Sequence, residues 1–518
     1  MSRAPVIVAD DAIPWAEQAL GALGELRRIR GGAIDRAALA DADALVVRTV
    51  TRVDAELVAG TGVRFVGTAT AGRDHLEVAA LQQAGVTVAS AAGCNATAVA
   101  QYVLTAMHVI ALERDPSLLA GPIAVVGFGE VGRRVTRLLR SLGAQVRVCD
   151  PPLARRRERE SLGDGPLAEL AAREPLLPLH ECLHGARAVT MHVPLEPGGP
   201  EPTVGLLDAD GLARLGPDAL VVNTARGGVV DESALVHWLD ADRGRAVLDV
   251  WSGEPAIDVV LADHFAVRLA TPHVAGYSLE GKLAGTTMIA AALARHLDRP
   301  QPWHGHDVLG AAEAIAAAAG PTALARRAAV LRSCNPIERD DAALRALLPA
   351  PMRQRLAGFE GLRRNYALRR ELEHFCVPPG VDDGLLGLGL QGHGRAAIVL
   401  VAHGSPDPDW RRPLDAAVAA LRLREPGMTV ALAFLDHLAP RPAEAFAELA
   451  AAGVARVRVV AAFLSPGGGH VKRDVPALVE AARAAHPGLA IELVPGAVGA
   501  EPEVIDALVA AARRLAAP

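Results

Sequence analysis

The stretch Ala124-Val-Val-Gly127-Phe-Gly129-Glu-Val-Gly132, running on to Cys149-Asp150, decides how the larger part of this chain folds. An apolar run, Ile123–Val126, ends at a glycine-spaced turn that opens a helical segment. The next apolar run, Val146–Cys149, ends on an acid. In that frame Gly127 permits a tight turn, Gly129 lets backbone approach a pyrophosphate, and Gly132 allows helix and strand to pack closely. The helix start then turns unpaired N–H groups towards phosphate. Asp150 can accept hydrogen bonds from ribose hydroxyls and would repel a 2′-phosphate, which favours NAD over NADP.

Outward from this motif the same alternation continues. Short apolar runs at Val6–Ala9, Ala44–Val47, Arg64–Gly67 and Val86–Val88 precede a long helical stretch, Thr97–Glu113. Ala188–His192, Leu220–Asn223 and Ala246–Asp249 follow the motif, and residues 276–297 read as one helix that returns the chain to its first domain. Such runs suit parallel strands covered on both faces. The segment 321–376 is Arg- and Leu-rich without a ligand-like cluster and reads as an accessory or association domain. Residues 378–395, which include His393, have linker composition. A second βα series begins at Ala396–Ala402 and continues through Thr429–Ala433, Arg456–Ala461 and Ala490–Val494. The expected class is α/β. Residues 1–95, completed by about 274–300, form a flavodoxin-like substrate domain; 96–273 form a doubly wound NAD-binding domain. Residues 301–377 form a small α+β domain, and 396–518 a further α/β domain.

Composition agrees with this. The chain has 518 residues, too many for one ordinary core, with 51% hydrophobic residues and few aromatics. A net charge of −6 leaves no nucleic-acid or membrane-surface footprint, and the Arg-Glu run at 155–159 reads as a solvated face. Five scattered cysteines without Cys-x-x-Cys spacing suit a reducing cytosol. No leader peptide or uncharged membrane-length stretch stands out, so a soluble cytoplasmic protein is expected.

Three further residues fall at ends of expected strands, where ligands of such sheets bind. Arg226, in Thr224-Ala225-Arg226-Gly-Gly, can hold a carboxylate through both guanidinium branches and polarise a neighbouring carbonyl. Glu254, in Asp249-Val-Trp-Ser-Gly-Glu254-Pro, beside His273, in Thr271-Pro-His273, would favour the imidazolium and suit His273 to move a proton. Singly these could be an ion pair, a helix-start carboxylate and a turn residue; together with the glycine motif they outline hydride transfer to or from a 2-hydroxy acid.

The constellation resembles the D-isomer-specific 2-hydroxyacid dehydrogenases, and in detail those members that oxidise 4-phosphoerythronate in vitamin B6 synthesis. The matching text includes Val47-Arg48-Thr49-Val-Thr51, Thr68-Ala-Thr70-Ala-Gly72-Arg-Asp74-His75, Gly93-Cys-Asn95 and Thr271-Pro-His273-Val-Ala-Gly276-Tyr277-Ser-Leu-Glu-Gly-Lys282. The resemblance covers roughly residues 5–376 and implies that the Arg-rich segment is a dimerisation domain of a homodimer. It implies catalytic roles for Arg226, Glu254 and His273, with His273 the proton carrier. Thr49, Thr70 and Tyr277 would contact substrate, the amides around Ala71-Gly72 would cradle its carboxylate, and Gly127, Gly129, Gly132, Asp150, Thr224, Ala225, Asp249 and Gly276 would form the NAD site. Thr49 stands where serine is usual, and Arg73 where threonine is.

In the second series, His403 follows an apolar strand and His470 follows Phe463-Leu464 through a glycine-rich turn. Two imidazoles on one rim of a sheet can hold a divalent metal, or simply bond to backbone; His437 lies on the same rim. The wording His403-Gly-Ser405-Pro-Asp407, Phe434-Leu-Asp436 and Gly467-Gly-Gly-His470-Val-Lys-Arg-Asp474 resembles the short sirohydrochlorin chelatases. That implies cobalt or iron as a substrate metal held by His403 and His470, and a tetrapyrrole partner; Asp436 stands where glutamate is more usual. Relatives build their site between two such halves, so a dimer would have to supply the second. The alternatives are a dehydrogenase of another 2-hydroxy acid, an NAD-sensing scaffold, and a C-terminal domain that only binds metal or a protein.

Overall fold

The computed structural model describes residues 3–157, 173–301, 303–310, 313–315, 320–377, 385, 388–392, 396–424, 428–452 and 454–515. His393 and the last two residues of the Arg-Glu run, Glu158 and Arg159, lie outside them. The chain divides into two compact units, residues 1–305 with 318–371, and residues 306–317 with 372–518.

The first unit holds two parallel sheets. Strands β1 (Val6–Asp10), β2 (Glu25–Ile29), β3 (Ala44–Val47), β4 (Phe65–Thr68) and β5 (Thr87–Ser90) lie in the order β2-β1-β3-β4-β5. Strands β6 (Pro122–Val126), β7 (Gln145–Cys149), β8 (Ala188–Met191), β9 (Ala219–Asn223), β10 (Gly244–Leu248) and β11 (Val267–Ala270) lie in the order β11-β10-β9-β8-β6-β7. Both orders contain a point where successive connections run to opposite sides, and there a crevice opens beyond the strand ends. In the first sheet it lies between β1 and β3, which end at Asp10 and just before Arg48; in the second, between β6 and β8, beside the glycine turn. β2, unmarked by apolar periodicity, is an edge strand in which Arg28 is exposed and Arg27 is ion-paired with Glu25 and Asp41.

The helix Ala96–Glu113 is long and apolar enough to cross a membrane, but 83% of it is buried within the protein, as befits a core helix packed against the helices Glu130–Ser141 and Ala323–Cys334. The helix Leu279–His296 returns to the first sheet. Its start is capped by Ser278, whose hydroxyl accepts from the Gly281 amide, and its Ile289 and Leu293 join Ile7, Val46 and Phe65 in one core. Gly67 on β4 allows this approach, since a Cβ there would lie 2.7 Å from Ile289.

The helices Ala323–Cys334, Ile337–Arg345 and Met352–Arg364 belong to this first unit. Leu344, Leu348 and Phe359 complete the core under β9–β11, and the Asp341 carboxylate accepts from the Ala270 amide. The remainder of the segment expected as one accessory domain goes elsewhere. Strands β12 (Glu313–Ala314) and β13 (Phe375–Val377) pair with β14 (Gln391–Gly392), drawn from the expected linker, and all three fall in the second unit. Composition hid β14 because a two-residue strand has no periodicity.

The second unit's main sheet, β15 (Ala396–Ala402), β16 (Thr429–Phe434), β17 (Arg456–Ala461) and β18 (Ala490–Leu493), is parallel in the order β16-β15-β17-β18. Its switch point lies between β15 and β17. Val399, Val401, Val457 and Val459 lie in its core with Phe446 and Val479 from the covering helices.

Candidate active site and metal centre

At the end of β6, Gly127 adopts φ +93°, and a Cβ there would meet the His192 carbonyl at 2.4 Å. Gly132 passes so close to the Gly127 carbonyl that an added Cβ would lie 1.9 Å from it, whereas one on Gly129 would meet nothing within 4 Å. Two glycines are therefore imposed by packing, and the third leaves backbone amides bare at the start of the helix Glu130–Ser141. Asp150 accepts from the Phe128 amide at 2.7 Å and the Leu153 amide at 2.8 Å, which ties the glycine turn to the end of β7. The Thr224 hydroxyl, beyond β9, is buried without a partner among the described residues. A bare-amide turn, a carboxylate with lone pairs to spare and an orphaned hydroxyl fit a dinucleotide.

Around the chemistry, His273 has φ +58°, and its Nδ1 lies 2.8 Å from Glu254 Oε2. Glu254 Oε1 accepts from the Trp251 amide at 2.9 Å, so each carboxylate oxygen takes one N–H. Burial pushes the Glu254 carboxyl up, but His273, the Trp251 amide and Arg363 outweigh it and hold the group below its ordinary value. An ionised carboxylate only accepts, so Nδ1 carries the proton and Nε2 is left as the base. The strained loop is held from beneath: buried Asp249 accepts from the Thr271 hydroxyl at 2.6 Å and from the Val274 and Ala275 amides at 2.8 and 2.9 Å. Gly276 is required by Asn95, whose Nδ2 would lie 2.4 Å from a Cβ.

Arg226 Nε donates to Asp74 at 2.9 Å and Nη1 to the Ala225 carbonyl at 2.8 Å. Gly72 packs on the guanidinium, a Cβ there falling 2.3 Å from Nη2, so Arg226 reaches the Ala71-Gly72 turn. Asn223 shapes that bend by accepting from the Ala225 amide. Thr70 bonds to the Thr68 hydroxyl at 2.8 Å, and Thr49 is exposed beyond β3. Tyr277 packs edge-on against Tyr366 at 5.7 Å and carries Lys282 Nζ over its ring at 3.9 Å.

In the second unit, His403 follows β15 and His470 follows β17, on the two sides of the switch point. Their rings meet edge to face at 4.7 Å between centroids. His403 Nδ1 lies 2.9 Å from the Gly404 carbonyl and His470 Nδ1 2.6 Å from Asp474, so both Nε2 atoms are the ones left to bind a cation. His437 does not join them in a larger set: it pairs with Asp436 at 3.4 Å, and no group of three or more His, Cys, Asp or Glu suited to a metal occurs among the described residues.

Residues 113–275 match the family of D-isomer specific 2-hydroxyacid dehydrogenases, NAD binding domain, and residues 397–515 match the CbiX family. An erythronate-4-phosphate dehydrogenase of Stutzerimonas stutzeri is 43% identical over 378 residues, which span 72% of this chain and 94% of that protein. The chain belongs to the erythronate-4-phosphate dehydrogenase family. A second member, from Marinobacter nauticus, is 42% identical over 379 residues, with the same coverage. The D-lactate dehydrogenase of Aquifex aeolicus complexed with NAD and lactic acid aligns with a TM-score of 0.46 at 19% identity, over 57% of this chain and 95% of that one.

Within this member of the erythronate-4-phosphate dehydrogenase family, sequence reading missed the contribution of residues 363–371. Buried Arg369 donates to the carbonyls of Val274, Ala275, Tyr277 and Ala98, the first three in the loop that follows His273. The neighbouring residues continue the clasp: Ser278 donates to Glu371 at 2.8 Å and Arg370 to Glu280 at 2.7 Å. Arg363 approaches Glu254 Oε2 at 3.9 Å. An Arg-rich stretch carries no mark of which arginine is buried, so only the pairing of Glu254 and Glu280 with cations offered a hint.

Proposed function

We propose that the first unit catalyses NAD-dependent oxidation of 4-phospho-D-erythronate to 3-hydroxy-2-oxo-4-phosphooxybutanoate, as in vitamin B6 synthesis. The observation that carries this reading is the 2.8 Å contact of His273 Nδ1 with Glu254, which leaves Nε2 as a base. Arg226 would bind the substrate carboxylate against the amides of Ala71 and Gly72, and Thr49, Thr70 and Tyr277 would hold the rest of the chain. His273 Nε2 takes the proton of the C2 hydroxyl as C2 becomes a ketone. The imidazolium so formed is stabilised by Glu254, and Arg226 favours the developing carbonyl. The Gly127–Gly132 turn, Asp150 and Thr224 would hold NAD, which would supply the hydride acceptor for C2. Asp150 supports NAD over NADP as the partner. Family resemblance supports a homodimer formed through residues 301–377, which sedimentation of the full chain would test, and a cytoplasmic location.

The test is NADH formation, followed by absorbance, from 4-phospho-D-erythronate with wild type and His273→Ala. Turnover by wild type alone supports the reading; equal rates, or turnover only of other 2-hydroxy acids, refute it.

For residues 397–515 we propose insertion of cobalt or iron into sirohydrochlorin, the metal being a substrate. The support is the convergence of His403 and His470 at a switch point, with Nδ1 of His470 bonded to a carboxylate as metal-binding histidines are. Sirohydrochlorin absorbance with cobalt(II) or iron(II) tests it: acceleration by wild type and not by His403→Ala or His470→Ala supports it. No acceleration over the spontaneous rate leaves this domain a metal-binding or interaction module.

A further inference from the structure

Lys282 stands out among the cations of the first unit. It sits in the first turn of the helix Leu279–His296, half-buried, with its ammonium over the Tyr277 ring at 3.9 Å. Among the described residues it has no carboxylate within ion-pair distance, unlike its neighbours. Arg48 is bonded to buried Asp10 at 3.1 and 3.3 Å, Arg226 to Asp74 at 2.9 Å, and Arg363 approaches Glu254. Glu254 is already engaged by His273 and the Trp251 amide, so it neutralises Arg363 only in part. The Arg363 Nε is buried with no partner.

Lys282, Arg48 and Arg363 come from three parts of the chain to the surroundings of the loop 273–277. Arg48 follows β3 at the first sheet's switch point. Lys282 follows the loop directly; Gly281 abuts Cys94 and Asn95, and Gly285 abuts Ala69, which sets the start of this helix beside Thr70. Arg363 closes the set from the helix Met352–Arg364, whose successor Tyr366 packs on Tyr277. The Lys282 ammonium is held below its ordinary basicity by burial first, with the Tyr277 ring opposing, and then by the like charges of Arg48, Cys94 again opposing, and Arg363. Arg363 reaches the same loop through Glu254, the partner of His273, and Arg48 follows β3, whose Val47 carbonyl accepts from the amide of Ala69, the residue that Gly285 abuts. A half-buried, unpaired ammonium between two cations is unfavourable alone and is relieved by a dianion.

We propose that Lys282, Arg363 and Arg48 form the seat of a phosphomonoester dianion, with Lys282 its principal ligand and the Tyr277 hydroxyl at its edge. The proposal rests on the dehydrogenase reading above and deepens it. Arg226 takes the carboxylate at one end of the substrate, this seat takes the phosphate at the other, and His273 lies between them at C2. Asp10 offsets Arg48 and Asp74 offsets Arg226, while Glu254 is shared between His273 and Arg363, so among the described residues Lys282 and part of the Arg363 charge are left over. Arg363 makes the seat depend on the C-terminal helical segment, which Arg369 already fastens to the loop 273–277. The Arg363 guanidinium would serve phosphate and Glu254 together, which links occupancy of the seat to the position of His273's partner.

The test compares kcat/KM for 4-phospho-D-erythronate and D-erythronate in full-length wild type, Lys282→Gln, Lys282→Arg and Arg363→Gln. Loss of one charge-assisted contact should lower the preference for the phosphorylated substrate about 30-fold in Lys282→Gln, with partial recovery in Lys282→Arg. Inorganic phosphate should inhibit wild type competitively and Lys282→Gln far more weakly. An equal fall of kcat/KM for both substrates, or an unchanged preference in Lys282→Gln and Arg363→Gln, overturns the seat. If wild type turns over neither substrate, the dehydrogenase reading fails, and calorimetry with inorganic phosphate still decides the seat. Binding to wild type and not to Lys282→Gln upholds it; no binding to wild type overturns it. Arg363→Gln, on a different helix, keeps the comparison decisive if Lys282→Gln does not fold.

Discussion

Replacing Glu254 by glutamine should damage the reaction more than the loss of one charge suggests. In the native site each carboxylate oxygen accepts one N–H, Oε1 from the Trp251 amide at 2.9 Å and Oε2 from His273 Nδ1 at 2.8 Å. Glutamine offers one acceptor and one donor in that space, so it cannot satisfy both. If its oxygen faces His273, its NH2 opposes the Trp251 amide, at about 1–3 kcal/mol for an unsatisfied buried donor. If its oxygen faces Trp251, the NH2 forces Nδ1 to accept, which moves the imidazole proton to Nε2 and removes the base. Either arrangement also forfeits the charge-assisted bond, about 1.5–3 kcal/mol. A combined penalty of roughly 3–4 kcal/mol corresponds to a loss in kcat of about two to three decades. Initial rates of NADH formation across pH 6–9 would measure it, with NAD affinity by fluorescence as the control for an intact fold. A Glu254→Gln variant within fivefold of wild type throughout that range would refute the reasoning.

Three other perturbations follow from the same geometry. Arg369→Met should leave four carbonyls without their shared donor and destabilise the fold by about 3–5 kcal/mol, while Arg369→Lys keeps part of both stability and kcat; urea denaturation with kinetics on the folded fraction would show it. Asp150→Ser should narrow the preference for NAD over NADP, read as the ratio of kcat/KM values, and an unchanged ratio would discount the ribose contact. Burial pushes His108 down to about 4, with its Nδ1 donating to the Leu104 carbonyl. Below the unfolded value near 6.5 the unfolded chain therefore takes up a proton that the folded chain refuses. His108 thus contributes a loss of stability of about 1.4 kcal/mol per pH unit as pH falls from roughly 6.5 to its folded value. His108→Leu should flatten that limb of the denaturation profile.

The reasons some of this was legible and some was not are physical. The parallel strands announced themselves because both faces of such a sheet are covered, so Val46, Val125 and Val221 sit in unbroken apolar runs. β2 stayed hidden because it lies at an edge, where polar residues such as Glu25, Arg27 and Arg28 are accommodated and no apolar run is required. Glycines at 127 and 132 could be assigned from spacing because local sterics, a positive φ and a 1.9 Å approach, exclude any side chain. His403 and His470 could be placed on one rim, since each follows a strand of one parallel series, but not at 4.7 Å.

What the sequence determined by itself is therefore what depends on neighbours along the chain: the βα alternation, the glycine turn with Asp150, and the residue types Arg226, Glu254 and His273 at strand ends. Only the tertiary structure decided which arginines matter. Arg369 becomes the clasp of the loop after His273, and Lys282 is left without a counter-ion among the described residues, because segments far apart in sequence are folded against one another. A charge's partner is set by distance in space, to which a single sequence is nearly blind, whereas backbone sterics act within a few residues and are written in the sequence directly.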